Sequence, residues 1–204
     1  MKLYDGGRAP NPRRVQIFLK EKGVELPTQQ LDLNALEHKS DEMLAKNPFA
    51  TVPFLELEDG EIISETVSIC RYIEAQYPDP NLFGEGAKQQ AIVDMWNRRV
   101  EFGFMLKVGM SFRHLHPGAV VLEGKQVAEW GEKCRDEAYR TMELLDNQLA
   151  NHQFIAGNDV SIADITGIVA VQFFKPARMS LPETGLDNFR RWVDEMQNRP
   201  SVQI

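Results

Sequence analysis

The sequence predicts an α+β protein: a small N-terminal unit ordered βαβ(α)ββα, followed by a unit built from helices alone. Three observations predict it. Phe54 to Glu58 alternates apolar with acidic residues, Asp59-Gly60 is the strongest short hairpin signal, and Ile62-Ile63 resumes the strand. The segment 78–86 is rich in breakers, without helical period, and reads as a linker between domains at 1–77 and 87–204. Beyond it, Ile92, Met95, Trp96, Gly103, Leu106 and Met110 recur at helical spacing, as do Val127, Trp130, Cys134, Ala138, Leu145 and Leu149.

Taken in order, the first element is a short strand from Lys2 to Tyr4, ended by a Gly6-Gly7 turn. A helix from about Pro12 to Lys22 follows, with Val15, Ile17, Phe18 and the aliphatic stem of Lys22 facing inward and Gly23 stopping it. Asn11 before Pro12 reads as an N-cap and first-turn pair. A strand lies within Leu26 to Leu33, and a short helix around Asp41 to Ala45 leads to Asn47-Pro48. Pro53 lacks an N–H and so opens a strand or lies on an edge. Its bond to Val52 is either an ordinary trans bond or the cis form that only X-Pro adopts readily. The cis form turns the Val52 amide groups outward, where they can pair antiparallel with an extended peptide. Ser64-Glu65-Thr66 then opens a helix to about Tyr77. It either simply caps that helix or presents free N–H groups to an anion. With the Thr66 hydroxyl and a Glu65 carboxylate for an ammonium, the second reading describes a site for the free amino-acid end of a peptide-like anion.

In the helical unit, Val160-Ser161-Ile162-Ala163-Asp164-Ile165 forms a variant capping box with Val160 and Ile165 as its apolar staple. Phe102, Met105 and Phe112 form either core or an apolar pocket wall, and Arg113, His114 and His116 beside them suit an anionic or aromatic substrate. Cys70 and Cys134 lie far apart, with neither CxxC nor metal-ligand spacing, and read as buried small hydrophobes. No HExxH, Walker A or GxGxxG pattern is present, and no metal is expected.

Composition narrows the function classes. The 204 residues, 43% of them hydrophobic, can bury a sizeable core in one or two domains. A net charge of −7 argues against a general nucleic-acid binder. The start of the chain lacks the apolar centre of a signal peptide, and no apolar run reaches the roughly 20 residues of a membrane helix, so the expectation is a cytoplasmic protein.

The N-terminal element order is thioredoxin-like. Together with Thr51-Val52-Pro53, Ser64-Glu65-Thr66, Ser161-Ile162-Ala163-Asp164 and Asn198-Arg199-Pro200-Ser201, it resembles the glutathione S-transferases over essentially the whole chain. The resemblance implies a homodimer with glutathione as co-substrate, held by Val52, Pro53, Glu65 and Thr66. His38 lies where the family often faces the glycine carboxylate, although a His-Lys pair there also fits a solvated loop. The resemblance also puts the sulfur at the first strand–helix turn, here Arg8 to Val15, which contains no Ser, Thr, Tyr or Cys. Asn11 is the side chain there able to donate to a thiolate, and it is the catalytic candidate beside its reading as a helix cap. Ala9-Pro10-Asn11 is similar to the Thr-Pro-Asn of the bacterial Nu-class transferases, which often reduce disulfides, with Ala9 in place of the threonine. An amide removes no proton, but with a helix N-terminus it can lower a thiol pKa from about 8.5. With no N-terminal cysteine and Cys70 inside a helix, the expected chemistry is direct attack of bound thiolate on a carbon electrophile, peroxide or disulfide. Phe102, Met105, Phe112 and Arg113 are the expected electrophile side. The alternatives are a glutathione-dependent disulfide reductase or peroxidase, and a non-catalytic binding or regulatory protein that keeps the fold.

Overall fold

The computed structural model describes residues 1–204, and no helix in it is long and apolar enough to cross a membrane. It divides into two compact units, Met1–Asn81 and Leu82–Ile204. The first runs β1 (Lys2–Asp5), α1 (Pro10–Glu21), β2 (Thr28–Gln30), a 3-10 turn (Glu37–Lys39), α2 (Asp41–Lys46), β3 (Phe54–Glu56), β4 (Ile62–Ile63) and α3 (Thr66–Gln76). The strands form one sheet in the order β2-β1-β3-β4, with β1 parallel to β2 and the other pairs antiparallel. This is the expected thioredoxin-like order.

Period-two alternation divides the apolar residues between the sheet's faces. Tyr4 and Phe54 are cross-strand partners whose rings stack 4.4 Å apart at 11°, and Leu31 and Met43 complete their cluster. Leu3 and Leu55, the next pair in register, are buried on the opposite face, where α1 and α3 bring Val15, Ile17, Phe18, Ile69 and Ile73. At the C-terminal end of β3 Glu56 accepts from Tyr4 Oη at 2.7 Å and from Lys46 Nζ at 2.7 Å. The Lys46 bond first, and then the Tyr4 bond, hold its carboxyl below the ordinary 4.5. A depressed folded value stabilises above the unfolded value and is lost as pH falls through the folded one. Glu56→Gln is therefore expected to lower the melting temperature at neutral pH and to lower it progressively less as the buffer is taken below 4.5, a difference read from paired thermal melts.

Two features of α1 depart from expectation. The helix starts at Pro10, because the Ala9 carbonyl already accepts from Arg13 N at 3.0 Å; Ala9, not Asn11, is the N-cap. Proline's fixed φ suits that first position. At the other end Gly23, at φ 64, closes the helix with Val24 N donating to Leu19 O at 2.9 Å. Lys22 buries its head as well as its stem. Its ammonium forms an ion pair with Glu74 at 2.5 Å and donates to the carbonyls of Pro78 at 3.2 Å and Pro80 at 2.5 Å.

The second unit contains α4 (Gly86–Val100), a π-helical turn (Glu101–Met105), α5 (Leu106–Leu115), α6 (Val120–Glu123), α7 (Ala128–Leu149), α8 (Ile162–Gln172), α9 (Phe174–Ala177) and α10 (Asp187–Gln197). The residues buried along α4, the π turn and α5 are Val93, Asn97, Val100, Phe104, Val108, Ser111 and His114, displaced from the expected stripe, which leaves Met95 and Leu106 exposed. Two causes hid the true face: polar residues sit on it, and the π turn inserts an extra residue that shifts the helical phase. Asn97 Oδ1 accepts there from the Thr166 hydroxyl at 2.7 Å, while its buried Nδ2 has no partner. In α7 the stripe is as expected from Cys134 onward, while Val127 and Trp130 are exposed and Gly131 takes the inward position. The capping box forms at Ser161 and Asp164 and opens α8, a helix buried from Ile162 to Val171.

Candidate functional site

The chain enters α3 through Glu65, whose φ of 68 and ψ of 120 lie outside the regions that suit a residue with a side chain. Such a conformation costs about 1 to 3 kcal/mol and persists where the surroundings impose it. No side chain caps α3, and its first helical bond runs from Ile69 N to Glu65 O at 3.0 Å. The N–H groups of Thr66, Val67 and Ser68 are thus left outside the helical ladder, at the positive end of the helix dipole. An anion fits there. Thr66 is buried, and its hydroxyl accepts from Arg14 Nη1 at 2.7 Å.

The Val52-Pro53 bond is cis. Pro53 is buried, and the ladder between β1 and β3 ends at Tyr4 and Phe54, so the half-buried Val52 lies outside it. The segment before it is braced by buried Asn47, whose Nδ2 donates to Thr51 O at 2.9 Å and to Thr51 Oγ1 at 3.1 Å. Gly6 packs under Val52: a Cβ there would lie 2.6 Å from Val52 Cγ2 and 3.2 Å from Pro12 Cγ. Val52, the β1–α1 turn and the start of α1 therefore meet at one place, and the Arg14–Thr66 bond ties α1 to the start of α3.

The start of α1 offers little backbone to a ligand. Pro10 and Pro12 carry no N–H, so of the four donors a helix normally leaves open only those of Ala9 and Asn11 remain. Asn11 is exposed at the second helical position and its side chain caps nothing, which leaves its amide available. Burial, and then the charge of Arg8, lower the pKa of Arg13, so positive groups gather at this turn. Beneath it the buried Asp5 Oδ2 accepts from Gln16 Nε2 at 2.7 Å, Gln30 Nε2 at 2.8 Å and Gly7 N at 3.3 Å, and Gln16 also donates to Gly7 O at 3.1 Å. These bonds fix the Gly6-Gly7 turn.

The other expected site residues are less closely joined. His38 lies in the 3-10 turn, half-buried, with a buried Nδ1 that finds no partner. Burial first, and then Lys39, lower its pKa, so the ring is neutral near pH 7 and offers an N–H rather than a charge. In the helical unit Phe102 is 54% exposed on the π turn with Arg98 over its ring, and Met105 is half-buried. Phe112 stacks on His116 and meets Phe173 edge-on, while the Arg113 guanidinium is held by Glu123 at 2.8 Å. Cys70 is fully buried, which pushes its thiol up to about 12 and makes it inert at neutral pH.

Three supporting residues escaped the sequence reading: Arg14, Asn47 and Asp5. For Arg14 a signal existed, since it lies three and four positions before Ile17 and Phe18 and so shares the buried face of α1. Asp5 and Asn47 act through partners distant in sequence or through a turn, and no periodicity marks them. Chemically, the arrangement can hold a carboxylate at α3, pair an extended backbone at Val52 and favour negative charge at the start of α1.

Comparison with known proteins agrees with this geometry. The profile of the glutathione S-transferase N-terminal domain matches residues 9–76, and that of the C-terminal domain matches residues 96–200. The chain is 37% identical over 206 residues to glutathione S-transferase 2 of Saccharomyces cerevisiae, covering 100% of this chain and 88% of that one. It is also 32% identical to a maleylacetoacetate isomerase of Pseudomonas aeruginosa, covering 100% of this chain and 94% of the other. Among solved structures, a glutathione S-transferase domain-containing protein of Marinobacter aquaeolei superposes with a TM-score of 0.95 at 38% identity, over 99% of this chain and 100% of its own.

Proposed function

The chain belongs to the glutathione S-transferase family, and we propose on that footing that it binds glutathione across the N-terminal unit and stabilises its thiolate for attack on an electrophile. The observation that carries the site assignment is the uncapped start of α3, with Thr66 held from below and Glu65 forced into its position. The free amino-acid end of glutathione lies here, its carboxylate on the α3 N–H groups and the Thr66 hydroxyl, its ammonium against Glu65. Val52 pairs with the extended peptide backbone, Pro53 sets the edge of the site, and His38 faces the glycine carboxylate. Asn11 then donates to the sulfur, aided by the dipole of α1. On the helical unit, Phe102, Met105 and Phe112, with Arg113 beside them, are the residues suited to an apolar electrophile. The enzyme works in the cytoplasm as a homodimer, with Phe49, 79% exposed on the N-terminal unit, as an apolar contact; a sedimentation mass near twice 23.3 kDa is the expected result.

Calorimetric titration with reduced and then oxidised glutathione tests this reading. Binding of the reduced form is expected, and binding of neither form removes the site assignment. Asn11 favours one second reading, because an amide donor stabilises a thiolate leaving group as well as a thiolate nucleophile. Tighter binding of the oxidised form, with faster turnover of a model disulfide than of an aryl halide, would move the assignment to disulfide reduction.

A further inference from the structure

Arg14 is 1% exposed, on the apolar face of α1 that carries Ile17 and Phe18. A charge in such a place is costly unless it is hydrogen-bonded, and one of its bonds is specific: Nη1 donates to Thr66 Oγ1 at 2.7 Å, across 52 residues of sequence. A guanidinium only donates and stays charged at any working pH. Thr66 Oγ1 therefore turns a lone pair to Arg14, and its own proton points elsewhere. Within the chain nothing takes that proton. We propose that Arg14 is a positioning residue for carboxylate recognition: it fixes the Thr66 hydroxyl as an outward donor and sets a permanent positive charge beneath the start of α3. This rests on the assignment of the free amino-acid end of glutathione to that helix start.

Two effects follow from one bond. Without Arg14 the hydroxyl can rotate and present a lone pair to the incoming carboxylate, turning an attraction into a repulsion. The buried charge also acts through low dielectric, where its field on a bound carboxylate is much stronger than in water. Both effects depend on the ligand being an anion at this point, and an arginine that merely braced α1 against α3 would show no such dependence.

The test is titration calorimetry of the full chain with reduced glutathione and with an analogue whose γ-glutamyl carboxylate is amidated, folding being checked by circular dichroism. Arg14→Met is expected to weaken reduced glutathione about 10-fold, the scale of one lost charge-assisted bond, and the amide less than about twofold. Arg14→Lys keeps the charge and donor-only chemistry and is expected to recover most of the loss. In a Thr66→Val background Arg14→Met is expected to cost less than it does alone, as coupled partners do. If Arg14→Met does not fold, Arg14→Gln takes its place with the same expected preference for the carboxylate form. Equal losses for the two ligands overturn the proposal and leave Arg14 as a brace. Normal binding by Thr66→Val overturns the site reading itself, a result distinct from Thr66→Val losing affinity while Arg14→Met does not.

Discussion

Asn11→Ala is expected to fold normally and to lose about 100-fold in turnover with reduced glutathione, the usual cost of removing one preorganised donor from a developing or standing negative charge. The argument starts from what is missing at the turn. With Ser, Thr, Tyr and Cys absent from Arg8 to Val15, and with Pro10 and Pro12 removing two of the four open N–H groups, few donors remain to lower the thiol pKa. The side chain of Asn11 is exposed and caps nothing, so alanine there removes a donor without removing a helix cap. Two readouts separate the chemistry from the fold. The thiolate absorbance of bound glutathione should titrate at a higher pH in the variant, towards the free value of about 8.5, while the melting temperature stays unchanged. Normal turnover in Asn11→Ala would mean that the Ala9 and Asn11 backbone N–H groups and the dipole of α1 suffice.

The second large effect concerns stability. Asp164 accepts four hydrogen bonds of 2.9 Å in a fully buried position, from Ile155 N, Ser161 N, Ser161 Oγ and Trp192 Nε1. It therefore ties the loop before α8, the first turn of α8 and α10 into one knot. Alanine would leave those donors buried without an acceptor, at about 1 to 3 kcal/mol each. Even the low end is about 4 kcal/mol, a large share of the 5 to 15 kcal/mol typical of a domain. Asp164→Ala is thus expected to lower unfolding free energy in urea by more than about 4 kcal/mol. Asp164→Asn should rescue little, because its NH2 would face the donors of Ser161. A loss below about 1 kcal/mol in the alanine variant would show that water replaces the carboxylate and that the knot is not what holds α8.

Legibility followed locality. The hairpin at Asp59-Gly60, the stop at Gly23 and the box at Ser161 and Asp164 are set by neighbours in sequence, and they appeared as read. The start of α1 was misplaced by two residues because Asn11-Pro12 and Ala9-Pro10 compete for the same role, and propensity at a cap cannot weigh the carbonyl geometry that chose Ala9. The buried face of α4 and α5 differs from the expected one because Asn97 on α4 and Ser111 on α5, both polar, are core residues, and because the π turn at Glu101–Met105 breaks the helical period. At the site, Val52 and Thr66 could be named from local patterns. The bond from Arg14 to Thr66 could not, since it joins residues 52 apart.

Glu65 carries a practical consequence for anyone engineering this chain. Its φ of 68 belongs to glycine's range, so a selection for heat resistance that ignores activity would find Glu65→Gly attractive, the relief of about 1 to 3 kcal/mol of backbone strain outweighing glycine's entropy cost of about 0.5 to 1 kcal/mol. The winning clone would lose the carboxylate proposed to receive the ammonium of glutathione. At this codon robustness and catalysis pull in opposite directions, and a library meant to yield a durable enzyme should hold it fixed.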